Sequence, residues 1–167
     1  NGGWFATIYL APSDYHRVHA PFDGTLIRSV AVPGALFSVN AQTEAGVERL
    51  FCRNERLVMH FKTAAGPLVL VMVGALIVAS IETVFDTPAS PYRREEVAAH
   101  DRNFSRGDEI GRFLLGSTAI VIVPSEVFTP SKRLEIGTTV RMGEALGTIN
   151  DRPNDRPAAE SIKPGRS

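Results

Sequence analysis

The sequence predicts a mainly β chain, a sandwich or barrel core with a few short helices. Short extended runs recur along it, turn residues separate them at intervals typical of all-β domains, and helical patterning is confined to two brief stretches. Phe5 to Leu10 alternates and stops at Pro12-Ser13-Asp14. Gly24 to Val32 forms a second run, ended by Pro33-Gly34, and Arg56 to Lys62 a third. Glu44 to Phe51 and Arg93 to His100 are each expected to form one or two helical turns. Phe113 to Val123 reads as one strand with Gly116-Ser117 in its middle, and Thr138 to Ile149 as a hairpin around Met142-Gly143. The polar stretch Asp86 to Asp108 is expected to be a long surface loop. Residues 151–167, with three prolines and little to bury, are expected to be a disordered tail.

Thr63 to Ile81 carries no charge, and Leu68 to Ile81 is strongly apolar apart from Gly74 and Ser80. A spanning helix needs about 20 apolar residues. This block is shorter, opens at Gly66-Pro67, is interrupted at Gly74, and is rich in valine, which favours extended backbone. Buried strands on either side of Gly74 are the expectation.

The 167 residues suffice for one domain with a substantial core. Eighteen basic residues balance eighteen acidic ones, which argues against a nucleic-acid partner. Cys52 is the only cysteine, so an internal disulfide and a cysteine-based zinc site are excluded, and a buried thiol is expected. The start, Asn1-Gly2-Gly3-Trp4, lacks an initiating Met and a signal-peptide pattern, so the chain is expected to begin inside a longer protein.

Two features could carry chemistry. His16 and His19, in Tyr15-His16-Arg17-Val18-His19, can each act as acid, base or metal ligand near neutral pH; one structural and one exposed imidazole is the plainer alternative. Gly116-Ser117 within an apolar run marks either a simple bulge or a strained peptide whose carbonyl the Ser117 hydroxyl can attack. Asn54-Glu55-Arg56 is better read as a turn with solvated charges than as a pocket element, and Glu82 as an anchor for a buried hydrogen bond. His60 and His100 are assigned no role. A Ser117/His19 hydrolase is disfavoured because Ser117 lacks the Gly-x-Ser-x-Gly elbow. A carrier-type binding module without an active site would need neither feature.

Five collinear segments resemble the bacterial-type phosphatidylserine decarboxylases. They are Tyr9-Leu10-Ala11-Pro12-Ser13-Asp14-Tyr15-His16-Arg17-Val18-His19-Ala20-Pro21, Val32-Pro33-Gly34-Ala35-Leu36-Phe37-Ser38-Val39-Asn40 and Phe51-Cys52-Arg53-Asn54-Glu55-Arg56. Val73-Gly74-Ala75-Leu76-Ile77-Val78-Ala79-Ser80-Ile81-Glu82 and Gly111-Arg112-Phe113-Leu114-Leu115-Gly116-Ser117-Thr118 complete the set. The resemblance covers about residues 3 to 149 and implies a decarboxylase core over 1–150, with a barrel-like fold related to the biotinyl and lipoyl carrier domains. Gly143 to Ile149 resembles a turn of that type.

The resemblance implies self-cleavage between Gly116 and Ser117, with His19 as base, giving a β chain 1–116 and an α chain from 117 that stay associated. Position 117 then becomes a pyruvoyl group, the cofactor. It takes up the amine of phosphatidylserine and serves as electron sink for loss of carbon dioxide, yielding phosphatidylethanolamine in phospholipid biosynthesis. His16 is implied as the acid/base of decarboxylation and Ser38 as a pocket residue, with no metal. The implied partners are a phospholipid substrate, a membrane surface and the two cleavage products for each other, with a homodimer compatible. Peripheral attachment to the cytoplasmic face of a bacterial membrane is the implied location. The family's aspartate partner of the base, and its N-terminal membrane-binding segment, lie outside this chain. Asp23 sits where the family has another turn, and Asp14 is expected to be a turn residue.

Overall fold

A computed structural model describes residues 2–39, 41–75, 81–114 and 116–150. The strands are β1 (Gly3–Leu10), β2 (Arg17–His19), β3 (Gly24–Val32), β4 (Arg56–Thr63), β5 (Gly66–Val73), β6 (Ile81–Thr83), β7 (Glu96–Phe104), β8 (Glu109–Phe113), β9 (Ser117–Pro124), β10 (Phe128–Pro130) and β11 (Gly147–Ile149). Two short helices, α1 (Ala41–Gly46) and α2 (Leu50–Arg53), lie between β3 and β4. Six strands form one sheet in the order β1-β9-β5-β4-β3-β7; β2-β8-β6 form a second and β10-β11 a third. Every strand pair is antiparallel. The mainly β expectation therefore holds.

The core lies between the two larger sheets. Leu57, Met59 and Phe61 alternate inward along β4, as the two-residue side-chain period requires. They share one apolar cluster with Leu26, Leu70 and Met72 of the large sheet and with Val18, Ile81, Ile110 and Phe113 of the small one. Fully burying one such side chain contributes about 1.5–3 kcal/mol. A satellite cluster of Val39, Leu50 and Ala75, with Phe51 packed against it, seats α2.

Several sequence expectations are corrected. The run Phe113 to Val123 is two strands: Phe113 ends β8 in the small sheet, Ser117 begins β9 in the large one, and the chain turns between them. The apolar pattern continues across this corner because both strands feed the same core. The expected loop Asp86 to Asp108, and the helical turns at Arg93 to His100, contain β7 instead. Its charged, mostly exposed residues suit an edge strand that bonds on one side only. Of the hairpin at Thr138 to Ile149 only Gly147–Ile149 is a strand, and its partner is β10. Of the apolar block, Gly66–Val73 is a buried strand as expected; its continuation over 76–80 lies outside the described residues, as do Asn40 and the tail 151–167. No helix among the described residues is long and apolar enough to cross a membrane.

Three polar expectations also change. Asn54 and Glu55 are not solvated but 0% and 1% exposed. The Asn54 amide accepts from Phe37 N–H (3.1 Å) and donates to Phe37 C=O (2.8 Å) and Gly74 C=O (2.9 Å). The Glu55 carboxylate accepts from Ser90 Oγ and the Tyr92 backbone N–H, pinning the segment before β7 to the core. Burial, with the nearby Glu55 charge second, pushes the Tyr92 hydroxyl well above its usual range. Glu82 anchors no buried bond but pairs on the surface with Arg112 (2.6 Å), and Cys52 is exposed.

Candidate active site

Two chain crossings between sheets run side by side and build the site. Residues 11–16 lead from the end of β1 in the large sheet to β2 in the small one; the chain returns between Phe113, the end of β8, and Ser117, the start of β9. Leu10 pairs with Ser117 on one side of the crossing and Arg17 with Arg112 on the other. Between them Phe113 N–H donates to His16 C=O (2.9 Å). Strand pairing thus sets the histidine segment against Gly116-Ser117, about a hundred residues away in sequence.

The fit at Gly116 is close. A Cβ there would lie 3.2 Å from Leu10 O and 3.3 Å from the Pro12 ring, so any larger residue pushes on the β1 terminus. Asp14 makes the turn that places Pro12: its carboxylate accepts from Ala11 N–H (2.7 Å), and it has the expected role of a turn residue.

Ser117 is 1% exposed. Its Oγ, Thr118 Oγ1 and His16 Nδ1 are three of the four buried side-chain polar atoms without a hydrogen-bond partner among the described residues. Orphaned buried polar atoms cost roughly 1–3 kcal/mol each, and these three belong to the first crossing or to the first two residues of β9.

The two imidazoles are held differently. A carbonyl only accepts, so the contact of His16 Nε2 with Pro12 O (3.2 Å) makes Nε2 the N–H donor and leaves the lone pair on the buried Nδ1. His19 Nδ1 lies 2.7 Å from Gly107 O and is likewise the donor, which leaves Nε2 as its basic nitrogen. That nitrogen accepts from the Tyr15 hydroxyl at 2.7 Å, and the Tyr15 ring stacks on the imidazole with centroids 5.7 Å apart. Neither histidine is bonded to Ser117 in this arrangement, since Ser117 Oγ has no partner.

Gly107 and Tyr15 were not singled out from sequence. Gly107, at φ +92°, lies in a tight loop whose Arg106 N–H is held by the Asp23 carboxylate (2.7 Å). Asp23 therefore supports the loop that presents the Gly107 carbonyl to His19, a role with no sequence signal across 83 residues. Tyr15 precedes His19 by four residues, and that spacing was the available clue. Ser38 stands half-buried beside Phe37, whose backbone is clamped by Asn54 to Gly74. Gly74 follows Val73, which pairs with Thr118, so Ser38 belongs to the same end of the large sheet as Ser117.

The family model for phosphatidylserine decarboxylase matches residues 1–148. The phosphatidylserine decarboxylase proenzyme of Psychrobacter arcticus is 57% identical over 145 residues, covering 86% of this chain and 52% of that protein. The proenzyme of Acinetobacter baylyi is 48% identical over 145 residues, with coverages of 87% and 51%. That of Pseudomonas fluorescens is 51% identical over 153 residues, with coverages of 87% and 53%. The chain spans about half the length of the curated relatives it matches. A match that takes in both sheets, the paired crossings and every residue of the corner places this chain in the phosphatidylserine decarboxylase family.

Proposed function

We propose that the protein converts phosphatidylserine to phosphatidylethanolamine in phospholipid biosynthesis, with a pyruvoyl group formed from Ser117 by self-cleavage after Gly116. The observation that carries this reading is the buried, unpartnered Ser117 hydroxyl, preceded by a glycine whose position is crowded by Leu10 and Pro12. The relatives are proenzymes by name, which agrees with a chain that must be processed.

In the first reaction Ser117 Oγ attacks the Gly116 carbonyl carbon, and the peptide C–N bond gives way to an ester as the nitrogen takes up a proton. Loss of the Ser117 α-proton then expels Gly116 as a free carboxylate and leaves a carbon–carbon double bond at position 117. Rearrangement to the imine and addition of water release ammonia and leave the ketone. A serine hydroxyl needs an adjacent base to attack. His19 has that role: its Nδ1–H bond to Gly107 keeps Nε2 basic, and the Tyr15 hydroxyl must turn aside before Nε2 takes the Ser117 proton.

The site residues fit the group, since position 117 is enclosed and its polar atom has no competing partner. The chemistry it supplies is an electron sink for the pair left when carbon dioxide departs. His16 then delivers the proton to the substrate carbon; its Nδ1 lone pair, buried and unshared, is suited to carry one. Ser38 lines the pocket from the same end of the sheet. The products 1–116 and 117–167 remain associated because β9 is bonded between β1 and β5 and contributes Val121 and Val123 to the shared core. The substrate is taken from a membrane surface to which the whole protein attaches peripherally, on the cytoplasmic side.

Intact mass measurement tests this on the complete polypeptide beside Ser117→Ala, His19→Ala and His16→Ala. Splitting at 116/117 with a keto-blocked second fragment is expected for wild type, and none for Ser117→Ala or His19→Ala. His16→Ala is expected to split but to release no carbon dioxide. A complete wild-type polypeptide that stays intact overturns the reading; splitting lost in His16→Ala but kept in His19→Ala reverses the two histidine roles.

A further inference from the structure

The two nitrogens of His19 are held in unequal ways. Nδ1 meets a built support, the Gly107 carbonyl at 2.7 Å, in a loop pinned at four points. Gly107 N–H donates to Ala20 C=O (2.9 Å) and Asp108 N–H to Ser105 C=O (3.0 Å). The carboxylates of Asp108 and Asp23 accept from Ser105 N–H and Arg106 N–H, each at 2.7 Å. Glu109, opposite His19 in the strand pair, is engaged by Arg17 (2.7 Å), so among the described residues no carboxylate draws the ring away. Nε2 instead meets one exposed side chain. Tyr15 is 50% exposed, lays one ring face on the imidazole, and gives its hydroxyl to Nε2 at 2.7 Å. A tyrosine that serves packing is buried and bonds its hydroxyl on the way in; Tyr15 does neither.

The bond to Tyr15 can open at little cost, because water hydrates the phenol and the imidazole once they part, and the core is not disturbed. The contacts also differ in when they can form. Tyr15 and His19 are four residues apart. Ser117 reaches the histidine segment only when β1 pairs with β9 and β2 with β8, across about a hundred residues. Closing a short loop costs less entropy than closing a long one, so the local contact forms first. The basic nitrogen is therefore occupied before its target arrives.

Resting on the reading of His19 as the base for Ser117, we propose that Tyr15 is a releasable cap on His19, a positioning residue that restrains self-cleavage. While the cap is closed, the Nε2 lone pair is taken and Ser117 keeps its proton. When the phenol swings out to solvent, Gly107 still holds the ring and Nε2 is free to accept. The test is the splitting rate of the complete polypeptide, timed on gels after cell-free synthesis, for wild type, Tyr15→Phe and Tyr15→Ala, with His19→Ala as the blank. Tyr15→Phe keeps the stacked ring and removes only the bond, so it is expected to split about 3- to 10-fold faster, the weight of one exposed hydrogen bond. Tyr15→Ala also loses the ring that steadies the imidazole and is expected to split more slowly than Tyr15→Phe. Slower splitting in Tyr15→Phe makes the hydroxyl a participant in proton transfer or a structural support, and refutes the cap. A second readout does not depend on splitting: the nitrogen-15 signal of His19 Nε2, in polypeptide kept whole by Ser117→Ala. It is expected to move toward that of an unbonded imidazole nitrogen when Tyr15→Phe is added, and a signal that stays in place also refutes the cap. A wild type that stays intact overturns the reading of Ser117 and the cap with it, whereas equal splitting rates in wild type and Tyr15→Phe overturn the cap alone.

Discussion

Replacing Asn54 by alanine probes the clamp that joins the Ser38 segment to the sheet end carrying Ser117. The amide makes three hydrogen bonds, and its loss leaves the Phe37 N–H, Phe37 C=O and Gly74 C=O without it. Asn54 is 0% exposed, so water cannot replace the amide without opening the structure. The bond to Gly74 is fully buried and its loss costs about 1–3 kcal/mol; the two to Phe37 are partly buried and cost about 0.5–1 kcal/mol each. The sum is roughly 2–5 kcal/mol, a large part of the 5–15 kcal/mol typical of a domain, and lowers the thermal midpoint by about 10 °C. Asn54→Asp keeps the acceptor toward Phe37 N–H but turns an oxygen toward two carbonyls, so it should cost at least as much at neutral pH. Urea unfolding of wild type and both variants measures these differences. A cost below about 1 kcal/mol for Asn54→Ala would show that the clamp is not what holds residues 35–39.

Gly116→Ala is expected to leave the fold intact, at a cost of about 1–2 kcal/mol as Leu10 and Pro12 give by a few tenths of an ångström. It should slow splitting of the complete polypeptide at least about tenfold by displacing the attacked carbonyl; an unchanged rate in timed gel assays would refute the positioning role of this contact. Burial, and secondarily Arg28, holds the His60 imidazole below its ordinary value of 6.5. Its neutral form is favoured in the fold, so this contribution is fully present above pH 6.5 and is lost as pH falls through the lower folded value. His60→Gln should flatten the stability profile across that window in urea titrations, and an unaltered slope would contradict the assignment. Exposed Cys52 should react with a thiol reagent in the native state at a rate within about tenfold of the unfolded chain; strong protection would place it back in the interior.

The sequence by itself determined the elements that depend on local pattern. Alternation along β1 and β4, turn residues after β1 and β3, and the apolar density of β5 are properties of a few neighbouring residues, and they survive folding unchanged. The five motifs likewise marked His16, His19, Gly116 and Ser117 before any geometry was known. Tertiary structure decided what depends on which strands meet. The break between β8 and β9 is invisible in an apolar run because both strands face one core, and only their different partners, Ile81 and Leu10, reveal the corner. β7 looked like a loop because an edge strand can remain charged while bonding on one side. Asn54 and Glu55 looked like surface residues because burial of a polar group becomes affordable only when distant backbone arrives to meet it, here from Phe37, Gly74 and Tyr92. For the same reason the partners of His19 came from Tyr15, four residues away, and from Gly107, eighty-eight residues away: local spacing can suggest the first, and only the fold supplies the second.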